Sequence, residues 1–160
     1  MARGFDGVYL DIVDGFETYE QEGMNFIDDR VNPETKQSYR RDMVDWVRAI
    51  AVRARTKNPG ALVIPQNGSQ LVVHPDFIEV ISAIGVEDLF TNGDKLQSMS
   101  HTSEVLGHLK KLAAAKKPVL LIEYPKTAER QALSQKLAKE NGCVLLVTGR
   151  QLETLGESGK

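Results

Sequence analysis

Apolar, β-branched runs alternate along the chain with stretches of helical period. Val8-Tyr9-Leu10-Asp11-Ile12-Val13 predicts a first strand. A long acidic loop follows over about 14–32, holding Asp14, Glu17, Glu20, Glu22, Asp28 and Asp29. Asn32-Pro33-Glu34 has the form of a helix start: a cap, a proline and an acid near the positive dipole end. Met43, Val47, Ile50 and Ala54 continue at helical spacing, with Trp46 expected to pack between helix and sheet, until Asn58-Pro59-Gly60.

The alternation then repeats. Ala61–Pro65 predicts a second strand and His74-Pro75-Asp76 opens a short helix. Val86–Phe90 predicts a third strand, Asn92-Gly93-Asp94 a turn, and 103–115 a helix. Pro118–Glu123 is the fourth strand, 127–140 a helix closed by Asn141-Gly142, and Cys143–Val147 the fifth strand. Arg150–Leu155 predicts a last short helix. The runs 119–122 and 143–147 are continuously apolar, as expected of parallel strands covered on both faces.

Five successive βα units give an α/β fold with right-handed parallel crossovers. Two architectures fit. One is a flavodoxin-like doubly wound sheet; the other is part of a (β/α)8 TIM barrel, whose full length is about 250 residues. Both place ligands at the carboxyl ends of the strands. The expected organisation is a single domain over 1–156, with 157–160 as a frayed tail.

Composition narrows the function classes. With 160 residues, 41% hydrophobic and 26% charged, the chain has the make-up of a soluble globular domain. Lys and Arg number 20 against 22 Asp and Glu, so a nucleic-acid-coating role lacks its basic excess. No run reaches the roughly 18 apolar residues of a membrane span. The start has no apolar leader, which as written reads as cytoplasmic. The lone Cys143 forms no internal disulfide. His74, His101 and His108 make no paired-ligand pattern, so neither metal nor cofactor is expected.

The candidate chemistry lies at the strand ends. Asp11 ends the first strand, Gln66 and Asn67 the second, and Glu123 and Tyr124 the fourth; Glu87 and Asp88 sit in the third. The fifth ends in Thr148-Gly149-Arg150, without the lysine of a phosphorelay receiver, and the turn after Asp11 lacks a glycine-rich phosphate loop. That segment at 148–150 leaves a small phosphorylated ligand as one alternative. Paired carboxylates at a barrel mouth suit glycoside hydrolysis: one protonates the leaving oxygen, the other attacks or activates water. Asp11 shares its strand face with Tyr9. Glu87 and Asp88 point to opposite faces of a regular strand, and periodicity does not choose between them.

Gly4-Phe5-Asp6-Gly7-Val8-Tyr9-Leu10-Asp11, with Val13-Asp14 and Phe16-Glu17 after it, resembles the fourth-strand segment of glycoside hydrolase family 114. This is the endo-α-1,4-polygalactosaminidase-like group, once described as related to cysteinyl-tRNA synthetase. Val63–Gly68, Ile84–Phe90, Val119–Tyr124 and Gly149–Leu152 are similar to later family segments in the same order. The resemblance implies a TIM-barrel hydrolase of α-1,4-linked galactosamine-type polysaccharide. It implies Asp11 as nucleophile or stabilising carboxylate and Glu87 as acid/base. Asp14, Gln66, Asn67, Asp88, Glu123 and Tyr124 are the expected substrate-binding residues. A retaining outcome would need the two carboxyl groups about 5–5.5 Å apart.

On that alignment the chain carries strands four to eight, five of the eight units. Open barrel edges then invite a homo-oligomer. The expected partner is a polysaccharide, with no nucleic acid and no membrane. The family is usually exported. The alternative function is a catalytically inactive partial barrel, or a carbohydrate-binding remnant.

Overall fold

The structure, a computed structural model, describes residues 4–152 and 157–158. It forms two compact units, Met1–Ser82 and Ala83–Lys160.

In the first unit, β1 (Gly7–Leu10) pairs in parallel with β4 (Leu62–Pro65), Gly7 opposite Leu62 and Leu10 opposite Pro65. The chain between them is a helical crossover with an elaborated start. β1 ends sooner than its apolar run, because Ile12 takes a left-handed φ of 55° and Val13–Phe16 wind into a 3-10 turn. A short helix α1 (Glu17–Glu20) and a hairpin of β2 (Gln21–Glu22) and β3 (Asn25–Phe26) fill the acidic loop.

The long helix α2 (Tyr39–Lys57) starts seven residues later than Asn32. Asn32 instead closes a separate loop: its Oδ1 accepts from the Glu34 N–H at 3.0 Å, and its Nδ2 donates to Asp42 at 2.7 Å. Ser38 is the true cap, its hydroxyl accepting from the Arg41 N–H. The buried stripe of α2 is Val44, Val47, Ala51 and Ala54. Met43 and Ile50 lie on its margin, and Trp46, expected in the core, is 53% exposed. At about 100° per residue, choosing 44 over 43 rotates the buried face enough to lift Trp46 out.

After β4 comes a 3-10 turn, Ser69–Val73, then α3 (Pro75–Val80) with proline at its first position. Leu71, Val72 and Phe77 from this stretch join Val13, Phe16, Val44, Val47 and Val63 in the buried set.

The second unit holds a four-stranded sheet among the described residues. β5 (Ile84–Glu87), β8 (Val119–Glu123) and β9 (Val144–Val147) are parallel and in chain order. β10 (Glu157–Ser158), where a frayed tail was expected, pairs antiparallel with Leu146 and Val147. A small hairpin, β6 (Thr91–Asn92) and β7 (Lys95–Leu96), follows β5, turning at Gly93 with φ 68°. Helices α4 (Met99–Ala114) and α5 (Ala128–Glu140) are capped by the Ser98 and Thr127 hydroxyls.

β5 is shorter than the predicted 86–90 because Asp88 adopts φ 52° and leaves the ladder. β8 alternates, with Val119, Leu121 and Glu123 buried and Leu120 and Ile122 only partly so; Val144 of β9 is 60% exposed. Continuous apolarity therefore did not mean equal cover on both faces. Of the predicted 150–155 helix, Arg150 and Gln151 form a turn and 153–155 lie outside the described residues.

Candidate functional site

In each unit the polar groups of interest sit at the carboxyl ends of the parallel strands. The first unit holds Asp11, Asp14, Gln66 and Asn67. Asp11 is exposed just past β1, and its Oδ1 accepts from the Ile12 N–H at 2.9 Å. Asp14 is half-buried in the following 3-10 turn. Gln66 is buried directly after β4, and its side-chain oxygen accepts from the Tyr9 hydroxyl. Its Nε2 donates to Asn67 Oδ1 at 3.5 Å.

The backbone explains this grouping. Asn67 and Gly68 both have positive φ, 61° and 66°, so the chain reverses tightly after β4. A Cβ on Gly68 would stand 3.3 Å from the Val13 carbonyl oxygen, which shows how closely this turn approaches the one after β1. The Val13 N–H also donates to the Gln66 carbonyl at 3.3 Å. Beside them Glu17 accepts a bond from Gln70. Burial raises the Glu17 carboxyl above its ordinary range, and the Gln70 bond pulls the other way.

The second unit gathers Glu87, Asp88, Glu123 and Tyr124 with Arg150. The Tyr124 hydroxyl donates to Glu87 Oε2 at 2.9 Å. Asp88 Oδ2 accepts from Arg150 Nη2 at 2.6 Å, and the guanidinium lies over the Tyr124 ring, 4.7 Å from its centre. Arg150 also donates to Asn92 Oδ1 at 3.3 Å. Burial first, then the bond to Glu87, pushes the Tyr124 phenol well above its usual range. The neutral phenol is thus held as a donor.

Strand parity left the choice between Glu87 and Asp88 open. The structure brings both into one cluster, because the left-handed turn at Asp88 breaks the alternation. Asp88 Oδ1 and Thr148 Oγ1 are buried with no hydrogen-bond partner among the described residues. Next to this cluster a cleft of about 660 Å³ runs between the β6–β7 hairpin and the ends of β8 and β9, lined by Asn92, Lys95, Tyr124, Lys126, Thr148 and Arg150.

Glu123, expected to contact substrate, has 0% exposure. Its oxygens accept from the Phe90 N–H at 2.8 Å, the Thr91 N–H at 3.0 Å and the Thr91 hydroxyl. It anchors the base of the β6–β7 hairpin. Burial pushes its carboxyl up, against the downward pull of those three donors. Sequence reasoning had placed Arg150 only in the alternative phosphorylated-ligand segment at 148–150, and had not named Gln97 at all. Gln97 Nε2 donates to the Asp88 carbonyl at 3.0 Å. Arg150 carried a legible signal, as a cation one residue past a strand-end glycine. Gln97 carried none, since only the hairpin brings it back to Asp88.

Carboxylates, amides and an aromatic thus gather at the ends of parallel strands in an α/β fold, the side on which such folds carry their ligands. Residues 1–158 match the sequence profile of glycoside-hydrolase family GH114, and the chain belongs to that family. An uncharacterized protein of Deinococcus radiodurans is 28% identical over 156 residues, covering 97% of this chain and 46% of that one. One from Thermotoga maritima is 30% identical over 160 residues, covering 94% and 47%. The chain thus spans about half the length of these relatives.

Among solved structures, the glycoside hydrolase domain of PelA from Pseudomonas aeruginosa superposes with a TM-score of 0.70 at 23% identity, over 98% of this chain and 58% of that one. Oxaloacetate acetylhydrolase gives 0.51 at 16%, over 93% and 53%. Both show likeness of fold alone.

Proposed function

We propose that this chain is the five-unit carboxyl-terminal part of a (β/α)8 barrel and serves in endo-hydrolysis of an α-1,4-linked galactosamine-type polysaccharide. Glu87 is the acid/base and Asp11 the nucleophile or stabilising carboxylate. Asp14, Gln66, Asn67, Asp88 and Tyr124 contact the sugar; Glu123 acts through the loop it anchors. The observation that carries the reading is the strand-end carboxylate Glu87, held by the Tyr124 hydroxyl on the neighbouring parallel strand, in a chain of glycoside-hydrolase family GH114.

In the proposed reaction Glu87 gives a proton to the leaving glycosidic oxygen while Asp11 meets the charge developing at the anomeric carbon. The test is release of oligosaccharides from partly deacetylated galactosaminogalactan by the chain, alone and with three further barrel units supplied as a second polypeptide. Product that disappears in Glu87→Gln and Asp11→Asn, by roughly 10²–10⁴-fold for the acid/base change, supports the reading. No product in either arrangement overturns it, and binding without product identifies a carbohydrate-binding remnant.

A further inference from the structure

The first unit contains a second recess, of about 560 Å³, within the size range of small-ligand sites. Phe16 and Tyr19 from the turn after β1 form one wall. Tyr39 and Trp46 on α2 form the other, and Glu34 and Asp42 supply charge. Neither Asp11 nor Glu87 lines it. It exists because α2 begins at Tyr39 rather than Asn32, which frees 32–37 to fold back beside the first turn of the helix. Tyr19 and Tyr39 stack with ring centres 5.0 Å apart and planes 22° apart. Tyr19 is 59% exposed and Trp46 53%, so two large aromatic surfaces stand open to solvent.

The acids here differ from others nearby. Glu20, Asp28, Asp45 and Asp76 are each paired with an arginine. Among the described residues Asp42 accepts from neutral donors, the Asn32 amide at 2.7 Å, the Thr35 hydroxyl at 2.8 Å and the Gln37 amide at 3.4 Å. Among the described residues neither Asp42 nor Glu34 stands in an ion pair. The recess is therefore both aromatic and net negative.

We propose that this recess is a non-catalytic binding site for a cationic amino-sugar oligosaccharide. The apolar face of a pyranose stacks on Trp46 or Tyr19, whose rigid rings bind at small entropic cost. A protonated amine is attracted both by the ring faces and by Asp42 and Glu34. A uronate or phosphosugar meets repulsion from the same carboxylates. The ligand class rests on the substrate proposed above, while the location does not.

Trp46 is the only tryptophan, so the intact chain carries its own reporter. Galactosamine tetramer titrated into the protein is expected to change the Trp46 emission saturably. The N-acetylated tetramer should bind at least tenfold more weakly, and salt should weaken the amine form. Asp42→Asn and Tyr19→Ala, each shown by circular dichroism to be folded, should weaken it several-fold. Glu87→Gln should titrate like the wild type.

A silent Trp46, equal affinity for the N-acetylated form, or no effect of either recess variant overturns the proposal. So does an emission shift that depends on protein concentration instead of sugar, which would mean a second copy covers the recess. Binding without hydrolysis would sink only the catalytic reading; hydrolysis with a silent Trp46 would sink only this one.

Discussion

The Tyr124 hydroxyl, one residue beyond β8, donates to Glu87 Oε2, the last residue of β5, across 2.9 Å. The bond ties the proposed acid/base to a neighbouring strand and fixes one of its two oxygens. Tyr124→Phe removes only the donor. Losing one such bond costs about 1 kcal/mol of stability. The turnover number for the proposed substrate should fall about tenfold, on the scale of one charge-assisted hydrogen bond, with little change in KM. Denaturant melts and steady-state kinetics of the variant measure the two effects separately.

The same tyrosine has an alkaline signature. Its phenol is held protonated in the folded protein by burial and by the Glu87 carboxylate, whereas an unfolded tyrosine ionises near its ordinary value of about 10. Above that pH the folded state binds the extra proton, so this contribution to stability falls as pH rises. Absorbance titration at 295 nm should show one of the four tyrosines ionising only with unfolding. In Tyr124→Phe that late step should be gone.

Glu123 gives the acid-side counterpart. Burial raises its folded-state titration above the ordinary 4.5, so the folded protein retains the proton at pH values where the unfolded chain has lost it. Its contribution is fully present below about 4.5 and diminishes as pH rises through the window above that value. Glu123→Gln should flatten this dependence. It should also cost about 1–3 kcal/mol, because the amide keeps one oxygen for either the Phe90 or the Thr91 N–H and turns its NH2 toward the other. Urea unfolding at pH 4.5 and pH 7 checks both parts, and an unchanged slope against pH would remove Glu123 as the source.

The βα alternation was legible because β-branched runs and helical spacing are local signals. The boundaries that moved are those set by single left-handed residues: Ile12 ends β1 early and Asp88 ends β5 early. Nothing in the side chain of Ile12 announces a positive φ, since a β-branched residue disfavours it. The start of α2 was misplaced because Asn-Pro-Glu serves a capped turn as well as a helix, and the competitor, Ser38, lies six residues on. Strand-end position was enough to single out Glu87, Asp88 and Tyr124, which the structure gathers with Arg150. It also drew in Glu123, which the two buried N–H groups of the hairpin base turn inward. Long-range loop pairing of that kind leaves no periodic trace.

Beside the recess proposed for amino sugars, Glu20 anchors the acidic loop on α2. It is 1% exposed and accepts from Arg40 Nε at 3.0 Å and Nη2 at 2.8 Å, and its other oxygen takes the Asp29 N–H at 3.0 Å. Glu20→Ala leaves Arg40 partly buried without its main partner, which costs about 3 kcal/mol. Asp28 contacts the same guanidinium but is 81% exposed, so Asp28→Ala should cost less than about 1 kcal/mol. Chemical denaturation of the two variants should separate them clearly. Equal losses would show that the anchor is not Glu20.

Gly7, within the Gly-Phe-Asp-Gly segment, tests how the first strand pair is built. A Cβ placed there would lie 2.2 Å from the Leu62 carbonyl oxygen and 2.7 Å from the Leu62 Cβ. The closest obstacle is backbone, which no rotamer change relieves. Gly7 faces Leu62 in the parallel ladder, so relief means separating β1 from β4 at its first rung. Gly7→Ala should therefore destabilise the protein by about 2 kcal/mol or more, on the scale of overpacking a rigid core. The shift should carry to Asp11, four residues along the same segment. Gly107 on α4 offers the control, since a Cβ there meets nothing within 4 Å. Gly107→Ala should be neutral or stabilising, by up to about 1 kcal/mol from helix propensity. Thermal melts of the two variants, with hydrolysis measured on whichever remains folded, decide whether Gly7 is held by this close approach.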